Sequence, residues 1–263
     1  MNTVNSRNLN AADSRKLMEQ ALRAVEQANG RIRELEQQSS EPIAIVGIGC
    51  RFPGDCDTPD TYFERLCAGM DAVGEVPPER WSLPDWWDSN PATPGRMYSR
   101  FGAFLSDVER FDAAFFGVTP REAARMDPQH RMLLEVAWHA MEAANIRAET
   151  LNGKPVGVFL GITGNDYGEL LDRRGPEEVD AYYLTGNSLN FAAGRLAYVF
   201  GFQGPAMAID TACSSSLVAV HLAVQSLRAR ESEVALAAGV NAILSPKGHV
   251  LTSKARMLSP SGR

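Results

Sequence analysis

The 263-residue sequence lacks the features that mark several large classes of protein. It has no basic excess: 26 Lys and Arg stand against 32 Asp and Glu, a net charge of −6, so no general cationic field draws in nucleic acid or an anionic membrane. No apolar run approaches the length needed to span a bilayer. The opening stretch MNTVNSRNLN lacks the apolar core of a secretory signal, so a cytoplasmic location is expected. Cysteine is scarce. Cys50, Cys56, Cys67 and Cys213 show no tight pairing, and no histidine completes a zinc-type spacing around the C-x5-C at 50–56, so no metal is expected and the thiols read as reduced. Gly47-x-Gly49 begins like a dinucleotide fingerprint but has Phe52 where the third glycine is needed, which argues against a nucleotide cofactor. What remains is the composition of a soluble globular protein, 44% hydrophobic and 22% charged, long enough for one large domain or two ordinary ones.

The stretch that organises the rest is AIDTACSSSLVAVH, from Ala208 to His221. Apolar residues run into Asp210, small residues follow through Cys213, and after three serines the apolar pattern resumes. The order predicts a strand, a sharp turn and a helix. Small side chains let the backbone turn tightly, and a helix start offers unpaired N–H groups and a dipole that favour a thiolate. Two readings stand on spacing alone: an activated nucleophile on an elbow, or a buried structural cysteine.

Residues 11–37 form a separate module. Met18, Ala21, Leu22, Val25, Ala28, Ile32 and Leu35 lie on one helical stripe, Asn10 is a candidate N-cap, and Glu19 and Arg23 are suitably spaced to pair. With Leu22 and Val25 at the a and d positions of a coiled coil, Asn29 falls at the next a position, where it would trade stability for a defined dimer. SSEP at 39–42 should break the helix. From Ile43 the pattern becomes α/β. Buried strands are expected at 43–49, 154–161, 206–210 and 234–240, with helices at 59–70, from Pro120, from Pro128 to Met141, and at 191–200. Residues 74–101, rich in Pro, Trp and Gly, read as a long ordered surface loop packed down by Trp81, Trp86 and Trp87.

DTACSSSLVAVHLA resembles the active-site stretch of β-ketoacyl synthases, specifically the ketosynthase domains of modular polyketide synthases. EPIAIVGIGCRFPG (41–54), the long segment 102–146 and AAGRLAYVFGFQGPAMAID (192–210) resemble the same domains, in the same order. The resemblance implies a thiolase-like fold, two similar halves stacked in five αβαβα layers. Residues 41–263 would form the first half only, preceded by a docking coiled-coil helix and linker at 1–40. It makes Cys213 the residue that carries the growing acyl chain as a thioester, with its backbone N–H as an oxyanion donor. The acyl group would arrive on the phosphopantetheine of an acyl carrier protein for decarboxylative condensation with a malonyl-type extender, with no cofactor held by the chain itself. Implied partners are that carrier protein, an upstream polyketide synthase subunit that docks on residues 11–37, and a second copy in a homodimer.

The family's two histidines come from HGTGT-like and GH-like motifs, and neither motif occurs in these 263 residues. His130 and His139 on a helix (His130 near a surface or interface), His221 two turns beyond Cys213, and His249 in a loop are expected to be structural. The chain as it stands is therefore expected not to catalyse condensation, and the sheet face meant for a second half to lie exposed. The competing readings are a non-catalytic docking and assembly fragment, and a thiolase-related acyl transferase. The DTACSSS run and the docking helix speak against the latter.

Overall fold

The computed structural model describes the backbone of residues 11–263, and side chains for most of them. It divides into two compact units, residues 1–44 and 45–263. In the first, helix α1 (Ala11–Ser40) presents Leu17, Met18, Leu22, Val25 and Ile32 to solvent, each at least half exposed. The helix runs three residues past the expected end, through Ser39 and Ser40. The expected cap Asn10 and the side chain of Leu35 lie outside the described residues.

The second unit begins with an irregular stretch. Residues 45–49 form no strand: Ile45, Val46 and Ile48 are exposed, by 81%, 61% and 54%. This corrects the strand expected at 43–49. No neighbouring strand lies beside this stretch among the described residues, and its glycines make the close approach to the protein. A Cβ on Gly47 or Gly49 would come within 2.4 Å of a carbonyl oxygen of the helix at 128–143. Helix α2 (Pro59–Cys67) follows, its start closed by a capping box between Thr58 and Thr61.

The segment 74–102 is less a loop than a small subdomain. It contains the two-residue strands β1 (Gly74–Glu75) and β2 (Phe101–Gly102), paired antiparallel, and the turn of helix α3 (Leu83–Trp86). Val76, Trp81 and Met97 are its buried centre, so the tryptophans pack as expected. Helix α4 (Pro120–Arg125) and helix α5 (Pro128–Ala143) each open on proline behind a side-chain cap, Thr119 and Asp127.

The core is a three-stranded parallel sheet. Strand β3 (Val156–Ile162) lies between β4 (Ala206–Ile209) and β5 (Val234–Val240), and every residue of β3 is buried. Its alternation assigns the faces. Val156, Val158, Leu160 and Ile162 join a core with Leu133, Leu134 and Met141 of α5 and with helix α8 (Leu189–Phe200). Phe159 faces the other way, onto Ala219 and Ala223 of helix α9 (Ser215–Arg228). Between β3 and α8 run α6 (Asp166–Asp172) and α7 (Ala181–Asn187), and α10 (Lys247–Lys254) follows β5. Helices thus lie on both sheet faces, but the sheet is not fully covered: Ala206 and Met207 of β4 and Ala237 of β5 are exposed. The outer side of α9 is also open, with Leu217 74% and Val220 47% exposed.

Candidate active site

Parallel sheets place reactive groups at the carboxyl ends of their strands, and the cysteine elbow stands there. After β4, the Asp210 carboxylate accepts a hydrogen bond from the Ala212 N–H at 2.9 Å, which bends the chain back on itself. Ala212 then takes φ +55°, the left-handed region that L residues occupy at a cost. A single 3₁₀ turn, Ala212–Ser214, carries Cys213 into α9. The serines hold this turn. Ser215 Oγ accepts from the Thr211 N–H at 2.9 Å and donates to the Ala212 carbonyl at 2.7 Å. Ser214 Oγ donates to the Thr211 carbonyl at 3.0 Å and lies 2.9 Å from Thr211 Oγ1.

Room beneath the elbow comes from two glycines. Gly161 of β3 and Gly239 of β5 are direct partners across the sheet. A Cβ on Gly161 would sit 2.6 Å from the Ser216 amide nitrogen, and one on Gly239 2.6 Å from Ser216 Cβ. The first turn of α9 thus rests on a saddle of paired glycines. Cys213 itself is exposed, which removes the reading of it as a buried structural thiol. Its N–H donates to no acceptor among the described residues, leaving it free to meet a developing oxyanion.

The other thiols differ. Cys50 and Cys56 are buried, and burial, then the neighbouring Cys56 and Asp57, push the Cys50 thiol up. Cys67 is exposed at the end of α2, far in sequence from any elbow.

None of the histidines joins Cys213. His221 lies on α9, about 12 Å along the axis at 1.5 Å per residue, with its side chain exposed. His139 is exposed on α5. His249 belongs to α10 and not to the loop expected for it; its ring packs against both Trp81 and Phe104, with Nε2 3.2 Å from the Phe101 carbonyl. Burial holds His249 below the usual imidazole range. His130 is the larger correction: it is 1% exposed, in the interior rather than near a surface. Neither of its ring nitrogens has a hydrogen-bond partner among the described residues. Burial, helped by the Arg195 charge, pushes its pKa down to about 3. No group of three or more potential metal ligands occurs among the described residues.

The sequence does not single out a polar cluster at the exits of β3 and β5. Asp127, wholly buried at the start of α5, has its carboxyl raised to about 6 by burial, against the hydrogen bonds of Gln129. Gln129, 2% exposed, accepts from the Ala242 N–H at 3.2 Å, and Asp166 accepts from the Leu244 and Ser245 N–H groups at 3.0 and 2.9 Å. The DPQ run at 127–129 is its one linear signal, and it shows a helix start and nothing more.

A parallel α/β sheet with an exposed cysteine on a strained strand-to-helix elbow is an arrangement that enzymes with covalent acyl intermediates use. Comparison with known proteins narrows the class. Residues 40–263 match the family described as "Beta-ketoacyl synthase, N-terminal domain", and the chain belongs to that family. It is 49% identical over 254 residues to a phenolphthiocerol/phthiocerol polyketide synthase subunit of Mycobacterium tuberculosis, a match covering 95% of this chain and 12% of that protein. A second subunit of that synthase, from the same species, is 52% identical over 224 residues, 85% of this chain and 14% of its own length. The chain thus spans about an eighth of these relatives. Among solved structures, an oxazolomycin ketosynthase domain from Streptomyces albus JA3453 superposes with a TM-score of 0.77 at 38% identity, over 83% of this chain and 37% of that one. The ketosynthase from module 6 of the bacillaene synthase of Bacillus subtilis 168 gives 0.74 at 39% identity, over 83% and 35%. The fold is the ketosynthase, thiolase-like fold. No described helix is long and apolar enough to cross a membrane.

Proposed function

We propose that Cys213 is the nucleophile that takes an acyl group from the phosphopantetheine thioester of an acyl carrier protein, within a polyketide assembly line. The observation that carries this is the elbow: an exposed thiol with a free backbone N–H at a helix start. The Cys213 sulfur attacks the thioester carbonyl, its N–H receives the developing oxyanion, and collapse expels the pantetheine thiol, leaving an acyl-Cys213 thioester. Condensation with a malonyl-type unit additionally needs imidazole donors for the enolate, and the four histidines of this chain lie elsewhere. Residues 1–40 serve as the docking segment and 41–263 as ketosynthase. The stripe on α1 is the surface for a second copy and for the tail of an upstream subunit, and the homodimer is the working unit.

The test is to incubate the chain with an acyl-pantetheine thioester and map the adduct by mass. Acylation at Cys213, abolished in Cys213→Ala, is the expected result. Acylation at Cys67 in its place would sink the assignment.

A further inference from the structure

The saddle under the elbow is only as firm as the strand ends that form it. Gly161 and Gly239 lie within the last two residues of β3 and β5, and both strands run directly into loops. Asp166 stands four residues beyond β3, as the first residue of α6. Its carboxylate accepts the Leu244 and Ser245 N–H groups, four and five residues beyond β5. One side chain therefore ties the two strand exits together, across the edge where the glycine pair supports Ser216. Gln129 adds a second attachment from α5, through the Ala242 N–H. Leu244 adds an apolar one by packing with Met132 and Val108. Residues 242–245 are held at three points.

Resting on the reading of Cys213 as the nucleophile, we propose that Asp166 and Gln129 are positioning residues that clamp the exits of β3 and β5 and so hold the glycine saddle closed beneath the Cys213 turn. Neither touches the sulfur. Releasing the clamp lets the exits of β3 and β5 part, the first turn of α9 loses its seat on Gly161 and Gly239, and the strained turn at Ala212 relaxes. The exposed cysteine at the head of α9 is then no longer held in one orientation.

The experiment measures the rate of Cys213 alkylation by iodoacetamide in the parent chain and in Asp166→Ala, Gln129→Ala and Asp166→Asn. Cys67 in each protein is the internal control, and amide hydrogen exchange at 242, 244 and 245 reports on the clamp. Both alanine variants should slow Cys213 by about tenfold or more, the scale on which remote misplacement acts, and leave Cys67 unchanged. Asp166→Asn keeps an acceptor oxygen and should stay within about twofold of the parent, a rescue that a general loss of structure would not show. Faster exchange with an unchanged Cys213 rate in the alanine variants overturns the proposal, as does Asp166→Asn falling as far as Asp166→Ala. Should Asp166→Ala fail to fold, Asp166→Ser gives the same reading. Acyl loading of the parent is followed in parallel. A parent that alkylates at Cys213 but takes no acyl group refutes the proposed function and leaves the clamp result standing.

Discussion

Two buried groups three residues apart, the cap Asp127 and His130 in the first turn of α5, pull the acid stability of this chain in opposite directions. His130 titrates near 6.5 unfolded and about 3 folded, so between those values the unfolded chain binds the extra proton and stability falls as pH falls. At 1.36 kcal/mol per unit, the full window amounts to about 5 kcal/mol. Asp127 moves the other way, from 3.8 to about 6. Here the folded chain holds the extra proton, so its contribution is complete below 3.8 and is lost as pH rises through 6, about 3 kcal/mol in all. Between pH 4 and 6 the slopes cancel, and the parent should show little pH dependence from this pair. Each single variant unmasks the other group. In His130→Gln, stability relative to the parent should rise as pH falls from 6.5 to 4, by about 3 kcal/mol. In Asp127→Asn, which keeps a capping oxygen for the Gln129 N–H, stability relative to the parent should fall over the interval from 6 to 4, by about 3 kcal/mol. Urea unfolding at half-unit steps from pH 4 to 7 measures both differences, and contributions common to all three proteins drop out. Differences that stay flat across the window would refute the reasoning, since neither group could then be buried as described.

Other perturbations probe the elbow and the helix. Iodoacetamide should modify only the two exposed thiols, Cys213 and Cys67, and Cys213 faster; peptide mapping that finds Cys50 or Cys56 modified first contradicts their burial. Ala212→Gly removes the cost of φ +55° and should stabilise the chain by about 1 kcal/mol in thermal melts, while slowing acylation because the turn is no longer held in one shape. Gly161→Ala places a methyl 2.6 Å from the α9 backbone and should cost about 1–3 kcal/mol together with Cys213 reactivity; a neutral outcome would mean that the helix start does not rest on the saddle. A peptide of residues 11–40 should gain helicity with concentration, and Asn29→Ile should strengthen its association while loosening the choice of oligomer; sedimentation that finds only monomer at all concentrations would refute the docking helix.

The elements that the sequence discloses are those whose partners are close by or whose capping is local. Strands β3, β4 and β5 carry short apolar runs bounded by turn residues, and α4 and α5 open on proline, so each is legible to within a residue or two. The elbow is legible because small residues between a strand and a helix have few other uses. Helices α6, α7 and α10 are not, since these short segments take their order from tertiary contacts in or beside them: Asp166 to the loop after β5, the α7 cap Asp180 to Arg121, His249 to Phe101. The same cause hides the clamp. Asp166 and Gln129 act through backbone N–H groups 79 and 113 residues away, and no periodicity records a partner at that distance.

The stretch at 45–48 and the stripe of α1 failed and succeeded for a shared reason. Apolar patterning records what a segment is built to bury and says nothing of where the covering surface comes from. In α1 the period of 3.6 survives as a helix because a helix satisfies its own backbone, so the exposed Leu22 and Val25 cost only their missing contacts. A strand cannot do this: its N–H and C=O groups need a neighbour, and without one Ile45–Ile48 keeps its sequence pattern but forms no ladder. The outer side of α9 belongs with them, since Leu217 and Val220 are apolar on a helix whose inner face is already filled by Phe159. Three surfaces thus carry apolar character with nothing set against them within their own unit. The first turn of α9, which follows Cys213 directly, adjoins one of them, so the elbow opens onto an apolar surface and not onto a polar one.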